Sequence, residues 1–334
     1  MRVYNIVQSV KGGCGKTTFS IMLAGFLGKK ENRDECGKTC LVDADFQGTS
    51  LIHLFIHDEN QDKTGPRKCY LNEKMRRYNS YHNYVREYNG YGRIFYYVPS
   101  SPEYVQKAWF LANAQMGYIP HMAYNIFEIN LKSMLISKED SLSGEIGEDL
   151  TNVIFDMPPS SDGYSDIIKK CIVNENEGIR KSEDIVNYYM MINLDPTHLY
   201  STIEYLKQIL RGIDQLPTHI FIVFNDNCFI ENETQTYTLF EERKLQIEIA
   251  LKKENISESN LKKIVFLVCP KYKDYAQEII KGHTLCELTE KDLFTDNPIK
   301  YLGEFGSSKM RIVNPDTFYN LIYNKKNIEI YNTR

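Results

Sequence analysis

The first residues able to do chemistry form the run Lys11-Gly12-Gly13-Cys14-Gly15-Lys16-Thr17-Thr18. Its glycines let backbone wrap closely around an anion, because no Cβ blocks the approach or a positive φ. Lys16 supplies a cation for β- and γ-phosphates, Thr17 a hydroxyl ligand for Mg²⁺, and Thr18 a contact for an α-phosphate. The apolar run Val3–Val10 precedes this stretch, and Thr17–Leu27 follows it with apolar residues at Ile21, Leu23, Ala24 and Leu27. The run therefore stands where a strand becomes a helix, and the N–H groups of such a junction face a bound phosphate. A plain glycine turn needs none of the lysine and hydroxyl positions that follow.

Carboxylates stand where a phosphate site needs them. Asp43 and Asp45 come just past the run Thr39–Val42, and Asp156 just past Asn152–Phe155. A carboxylate beyond a strand end can orient an attacking water or hold the shell around Mg²⁺, which prefers oxygen ligands; capping a turn is the simpler use of Asp43 and Asp45. Pro158 and Pro159 stiffen the exit from Asp156 into Ser160–Tyr164. Two further runs end in Asn225 and in Val268-Cys269-Pro270.

The general phosphate loop, GxxxxGK[ST], would place its first glycine at Val10, and Lys11 begins the loop instead. This KGGxGKT[ST] form resembles the deviant Walker A loop of the ParA/MinD family. Leu41–Gly48 resembles that family's second motif, commonly DxDPQG, with Phe46 where proline is usual; Val153–Pro159 resembles its Walker B strand ending in DxPP. The resemblance spans roughly residues 1–50, 93–170, 185–225 and 264–285, and includes the Tyr96–Pro102 run with its small polar turn. It implies an ATPase using ATP and Mg²⁺, with ATP over GTP resting on the resemblance alone. Lys11 would reach across an ATP-sandwich homodimer, Asp45 would orient the water, and Lys16 would complete the catalytic set. Thr17, Asp43 and Asp156 would serve the metal. Gly12, Gly13, Cys14, Gly15, Lys16, Thr17 and Thr18 would cradle the phosphates, with Asn225 reading adenine and Pro270 flanking it. The likeness is closest to ParA-like partition ATPases. These dimerise with ATP, bind nonspecific double-stranded DNA and release it when a ParB-like partner stimulates slow hydrolysis, so segregating plasmids or chromosomes or positioning cargo. A cytoplasmic, nucleoid-associated protein is implied.

The elements that must position these residues are short apolar runs: Val3–Val10, Thr39–Val42, Asn152–Phe155, Ile185–Leu194, His219–Phe224 and Ile264–Val268. They are continuous rather than alternating, as in a parallel sheet covered on both faces. Helical patterns such as Ser201–Ile213 fall between them. The expected fold is α/β: an open, mostly parallel, doubly wound sheet with helices on both faces. Residues 1–334 read as a single domain with insertions at about 56–92 and 226–262, the latter turning helical near Thr238–Lys253, and a C-terminal extension at about 286–334. The N-terminal run shows no signal-peptide pattern, and no stretch approaches the 18 or so apolar residues of a membrane span. The eight cysteines include no CxxC pair, which suits reduced cytosolic thiols.

With a net charge of −4, DNA contact must come from a local patch. Between Gln61 and Arg93 stand eight basic residues (Lys63, Arg67, Lys68, Lys74, Arg76, Arg77, Arg86, Arg93) and three acidic ones, a local balance of +5 among interleaved tyrosines. The segment reads either as a phosphate-neutralising patch or as a solvated insertion whose tyrosines pack on the body. Lys207 with Arg211, and a tail with Lys309, Arg311, Lys325, Lys326 and Arg334, are further candidates. A MinD-like membrane helix would fall in Thr317–Arg334, whose apolar positions make no clean stripe. An iron–sulfur carrier lacks suitably placed cysteines. A nucleotide-dependent scaffold that recruits a protein partner is the remaining alternative.

Overall fold

In the computed structural model, the described residues are 1–30, 37–45, 51, 70–75, 84–90, 92–100, 120–136, 141–147, 150–159, 163–173, 179–212, 217–225, 233–269 and 297–324. Their strands are β1 (Val3–Ser9), β2 (Lys38–Asp43), β3 (Arg86–Gly90), β4 (Arg93–Val98), β5 (Leu150–Pro159), β6 (Ile185–Ile192), β7 (His219–Asn225), β8 (Ile264–Cys269), β9 (Tyr301–Glu304) and β10 (Arg311–Ile312). They form one sheet in the order β10-β9-β8-β7-β6-β1-β5-β2-β4-β3. From β8 to β4 every pairing is parallel. The antiparallel strands β3, β9 and β10 finish the two edges. The expected class, a mostly parallel α/β sheet, is the one found.

The continuous apolar runs explain the two-sided burial. Every residue of β1, β2, β6 and β8 is buried. Alternate side chains then feed two cores. One joins Val3, Val7, Leu41, Ile154 and Tyr189 to helix α1 (Lys16–Leu27). The other joins Ile6, Val42, Phe155 and Met190 to helices on the opposite face. In chain order the helices after α1 are α2 (Leu71–Lys74), α3 (Pro120–Ile136), α4 (Leu142–Ile146), α5 (Gly163–Val173), α6 (Pro196–Gly212) and α7 (Glu233–Lys252). Phe127, Ile168, Leu206 and Phe240, from α3, α5, α6 and α7, pack in that second core.

Three segments set outside the match carry part of this architecture. The 56–92 insertion contributes α2 and the edge strand β3. The 226–262 segment contributes α7, which begins at Glu233 rather than near Thr238, and the short α8 (Glu258–Leu261). The region beyond residue 286 contributes β9, β10 and helix α9 (Pro315–Ile322). Phe318 and Ile322 of α9 are fully buried, and the Phe318 ring lies 5.5 Å from that of Phe26 on α1. Asn187 Nδ2 on β6 donates to Ile322 O at 3.0 Å, and Tyr323 Oη donates to Asn152 Oδ1 at 2.8 Å. The apolar face of α9 thus belongs to the core and is not available to a membrane. Among the described residues, no helix is long and apolar enough to cross one.

The site end of the sheet follows from topology. Strand β1 lies between β5 and β6; the chain winds to one side through β2 and β4, and to the other through β6, β7 and β8. Ligands of open α/β sheets bind beyond the carboxyl ends of the strands where the winding reverses, and that place here is the turn after β1.

Candidate phosphate and metal site

The turn after β1 is Val10–Gly15. Ser9 Oγ donates to Lys11 O at 2.6 Å and closes its first bend. Gly13 and Gly15 have φ of 77° and 79°, a region that a Cβ disfavours. Gly15 is the N-cap of α1, with no side-chain cap and no acidic residue in the first turn. The first N–H groups of α1 therefore keep their positive end for an anion. Lys16 and Cys14 are buried, Thr17 and Thr18 half-buried, and Gly12 and Gly13 exposed. From Phe19 to Leu27 every residue of the helix is buried, so it sits inside the core and the loop rests on a fixed base.

The carboxylates converge beneath the loop. Asp43 ends β2 and pairs in register with Asp156 on β5, which in turn pairs with Val7 on β1. Ser20 Oγ on α1 donates to Asp156 Oδ1 at 3.2 Å. Ser100, in the polar turn after β4, donates its Oγ to Asp43 O at 2.8 Å and its N–H to Asp43 Oδ2 at 3.3 Å. Asp43 and Asp156 are fully buried, and Asp45 is nearly so. Burial, with Asp156 and then Asp45 as like charges, holds the Asp43 carboxyl well above the ordinary range. Burial also raises Asp156, to about 6, against the lowering effects of the Thr17 hydroxyl and the Lys16 charge. Asp43 Oδ1 and Asp156 Oδ2 are buried without a hydrogen-bond partner.

Two orphaned carboxylate oxygens beside a threonine hydroxyl fit a hard divalent cation. No group of three or more His, Cys, Asp or Glu side chains closes on one point among the described residues. Such a pair would supply part of a coordination shell, with water and phosphate oxygens supplying the rest, which is how Mg²⁺ is ordinarily held.

The other expected residues are placed as follows. Asn225 is buried behind the loop, where its Nδ2 donates to Cys14 O at 3.0 Å; that N–H braces the phosphate loop. Pro270 lies outside the described residues, as do Lys63, Arg67, Lys68, Arg76 and Arg77. The described members of the basic segment are not a free patch. Lys74, Arg86 and Arg93 are 5%, 6% and 4% exposed. Lys74 Nζ lies 3.9 Å from the centroid of the Tyr84 ring, and the Arg86 guanidinium lies over Tyr70. Arg93 Nη1 donates to Gly25 O at 2.8 Å. These residues anchor the insertion, so Lys74 and Arg86 cannot serve DNA as expected. On α6, Lys207 pairs with Glu204 and Glu254, and Arg211 with Glu254. Lys309 and Arg311 are exposed.

Sequence reasoning passed over Ser20, Ser100 and His198. The polar turn after Tyr96 hinted at Ser100. Asp195-Pro196 was a readable helix start, since Asp195 Oδ1 accepts from Thr197 N at 2.6 Å. Nothing in the sequence pointed His198 at the loop.

Residues 5–278 match the family described as the CobQ/CobB/MinD/ParA nucleotide binding domain. The chain belongs to this nucleotide-binding family. Among solved structures, one similar to it is a Borrelia burgdorferi protein described as a plasmid partition protein, bound to AMPPNP: 16% identity, TM-score 0.54, covering 88% of this chain and 94% of that one. Another is a variant of Cyanothece McdA in complex with ATP, at 15% identity and TM-score 0.48, covering 88% and 93%. A third is pNOB8 ParA bound to nonspecific DNA, at 14% identity and TM-score 0.45, covering 81% and 86%. No curated protein matches the chain.

Proposed function

We propose that this protein is a Mg²⁺-dependent ATPase of the ParA type, which dimerises around ATP, binds nonspecific double-stranded DNA and hydrolyses ATP slowly until a ParB-like partner stimulates it. The observation that supports this best is the deviant loop, with Lys11 at its head, standing over Thr17, Asp43 and Asp156. A bound Mg²⁺ would offset negative charge on the phosphate oxygens. Lys16 and the N–H groups of Gly13–Thr17 hold the β- and γ-phosphates, and Lys11 of a second copy approaches the same charge. Asp45 orients the water for in-line attack, a reaction whose catalysis is mostly positioning and electrostatic stabilisation. The expected use is segregating DNA or positioning cargo; the Borrelia protein of similar fold is described as a plasmid partition protein.

The burial of Lys74, Arg86 and Arg93, and the pairing of Lys207 and Arg211 with acids, favour a second reading: a nucleotide-dependent scaffold that recruits a protein rather than DNA. Binding of random-sequence duplex DNA by the Asp45→Ala protein, with ATP against ADP over a salt series, separates the two. The partition reading expects ATP-dependent binding that weakens with salt, the logarithmic slope being about 0.9 per phosphate neutralised. Absence of binding in both nucleotide states would refute it and leave the scaffold.

A further inference from the structure

Between Gly12 and Gly15 the loop has a single residue with a side chain, Cys14, set between two glycines in the left-handed region. Glycines lose more freedom on ordering than any other residue, so such a loop closes on a phosphate at an entropic cost unless it is held in advance. Cys14 is held at both ends. Asn225 Nδ2, at the end of β7, donates to its carbonyl. On the other side, its Sγ lies 3.0 Å from His198 Nδ1 at the start of α6. His198 is fixed in turn by Asp195, whose Oδ1 accepts from Thr197 N and, at 3.4 Å, from His198 N. The protonation states agree with this contact. Burial pushes the Cys14 thiol up, so it keeps its proton to donate. Burial and the nearby Lys11 charge push His198 down, against Asp195, so its ring is neutral and Nδ1 can accept.

We propose that His198 is a nucleotide-positioning residue: by holding the Cys14 thiol it keeps the phosphate loop in its anion-receiving shape before nucleotide arrives. The inference rests on the phosphate-loop reading and adds to it a residue far from the motif in sequence. It also gives the variable position of the loop a task. Cys14 acts through its side chain as the handle by which α6 grips the glycine run, and its high pKa and burial make it a poor nucleophile.

The test is the affinity of the full chain for ADP and for ATP with Mg²⁺, by isothermal titration calorimetry, for the parent, His198→Ala, His198→Asn, Cys14→Ala and the double variant His198→Ala/Cys14→Ala. Loss of the contact should weaken both nucleotides about tenfold, the scale of one neutral hydrogen bond. The double variant should be no weaker than either single one, because both remove the same contact. His198→Asn, which keeps a polar atom near the Nδ1 position, should bind like the parent. Parental affinity in His198→Ala, additive losses in the double variant, or failure of His198→Asn to restore binding would each overturn the proposal. If the parent itself binds neither nucleotide, the phosphate-loop reading falls, and the positioning role with it.

Discussion

Gly13 and Gly15 share a backbone conformation but not surroundings, and the pair therefore isolates what Asn225 does. Both have φ near 80°. A Cβ at Gly13 meets nothing within 4 Å, whereas one at Gly15 would stand 2.3 Å from Asn225 Nδ2 and 3.4 Å from its Cγ. Gly13→Ala should cost only the left-handed strain of an L-residue, about 1–2 kcal/mol. Gly15→Ala adds displacement of Asn225, which breaks its bond to Cys14 O and strands polar groups in a buried place, a further ~1–3 kcal/mol. The loss of glycine from the unfolded chain is common to both and cancels in the comparison. Urea denaturation at neutral pH without nucleotide measures the two costs. Repeating the Gly15→Ala measurement in an Asn225→Ala background should shrink its cost to that of Gly13→Ala, since the obstructing amide is gone. Equal destabilisation by Gly13→Ala and Gly15→Ala, or a Gly15→Ala cost unchanged by Asn225→Ala, would refute the reasoning.

Two other outcomes follow from buried groups away from the loop. Burial, helped by the Lys263 charge, pushes His219 down to about 4 from 6.5, while its Nδ1 lies 3.1 Å from Asn187 Oδ1. Below pH 6.5 the unfolded chain takes a proton that the folded one refuses, so this group removes stability as pH falls from about 6.5 to 4, by about 2 kcal/mol at pH 5. The stability difference between the parent and His219→Gln should change by that amount between pH 7.5 and 5, and a gap independent of pH would contradict the shift. Phe318→Ala in α9 empties a fully buried ring site and should cost about 3–5 kcal/mol in urea denaturation; a cost under 1 kcal/mol would show that α9 is not part of the core.

The sequence alone showed six of the seven strands of the parallel sheet and pointed to a chemistry at the head of the chain; β4 entered only through the resemblance of the Tyr96–Pro102 run. Uninterrupted apolar runs can be satisfied only by burial on both faces, and glycines followed by lysine and threonine have a use at a strand-to-helix junction. It did not show β9, β10 and α9: the strands are four and two residues long and antiparallel, too short for a period to register. The cap Asn314-Pro315 was there to be read, its Oδ1 accepting from Thr317 N at 2.7 Å, but a start signal does not say what a helix packs against. At Lys74, Arg86 and Arg93 the basic segment misled, because composition counts charges without locating them; its other cations lie outside the described residues. Tertiary packing decided that Lys74, Arg86 and Arg93 would be anchors, their aliphatic stems and aromatic neighbours making burial possible. It also decided which distant residues meet at the phosphate loop. Asp43 and Asp156 come together because β2 and β5 pair in register, and Asn225 and His198 reach Cys14 because the sheet reverses its winding beside β1. Those contacts join residues as many as 211 positions apart. No local pattern encodes them; they exist only once the strands have taken their order.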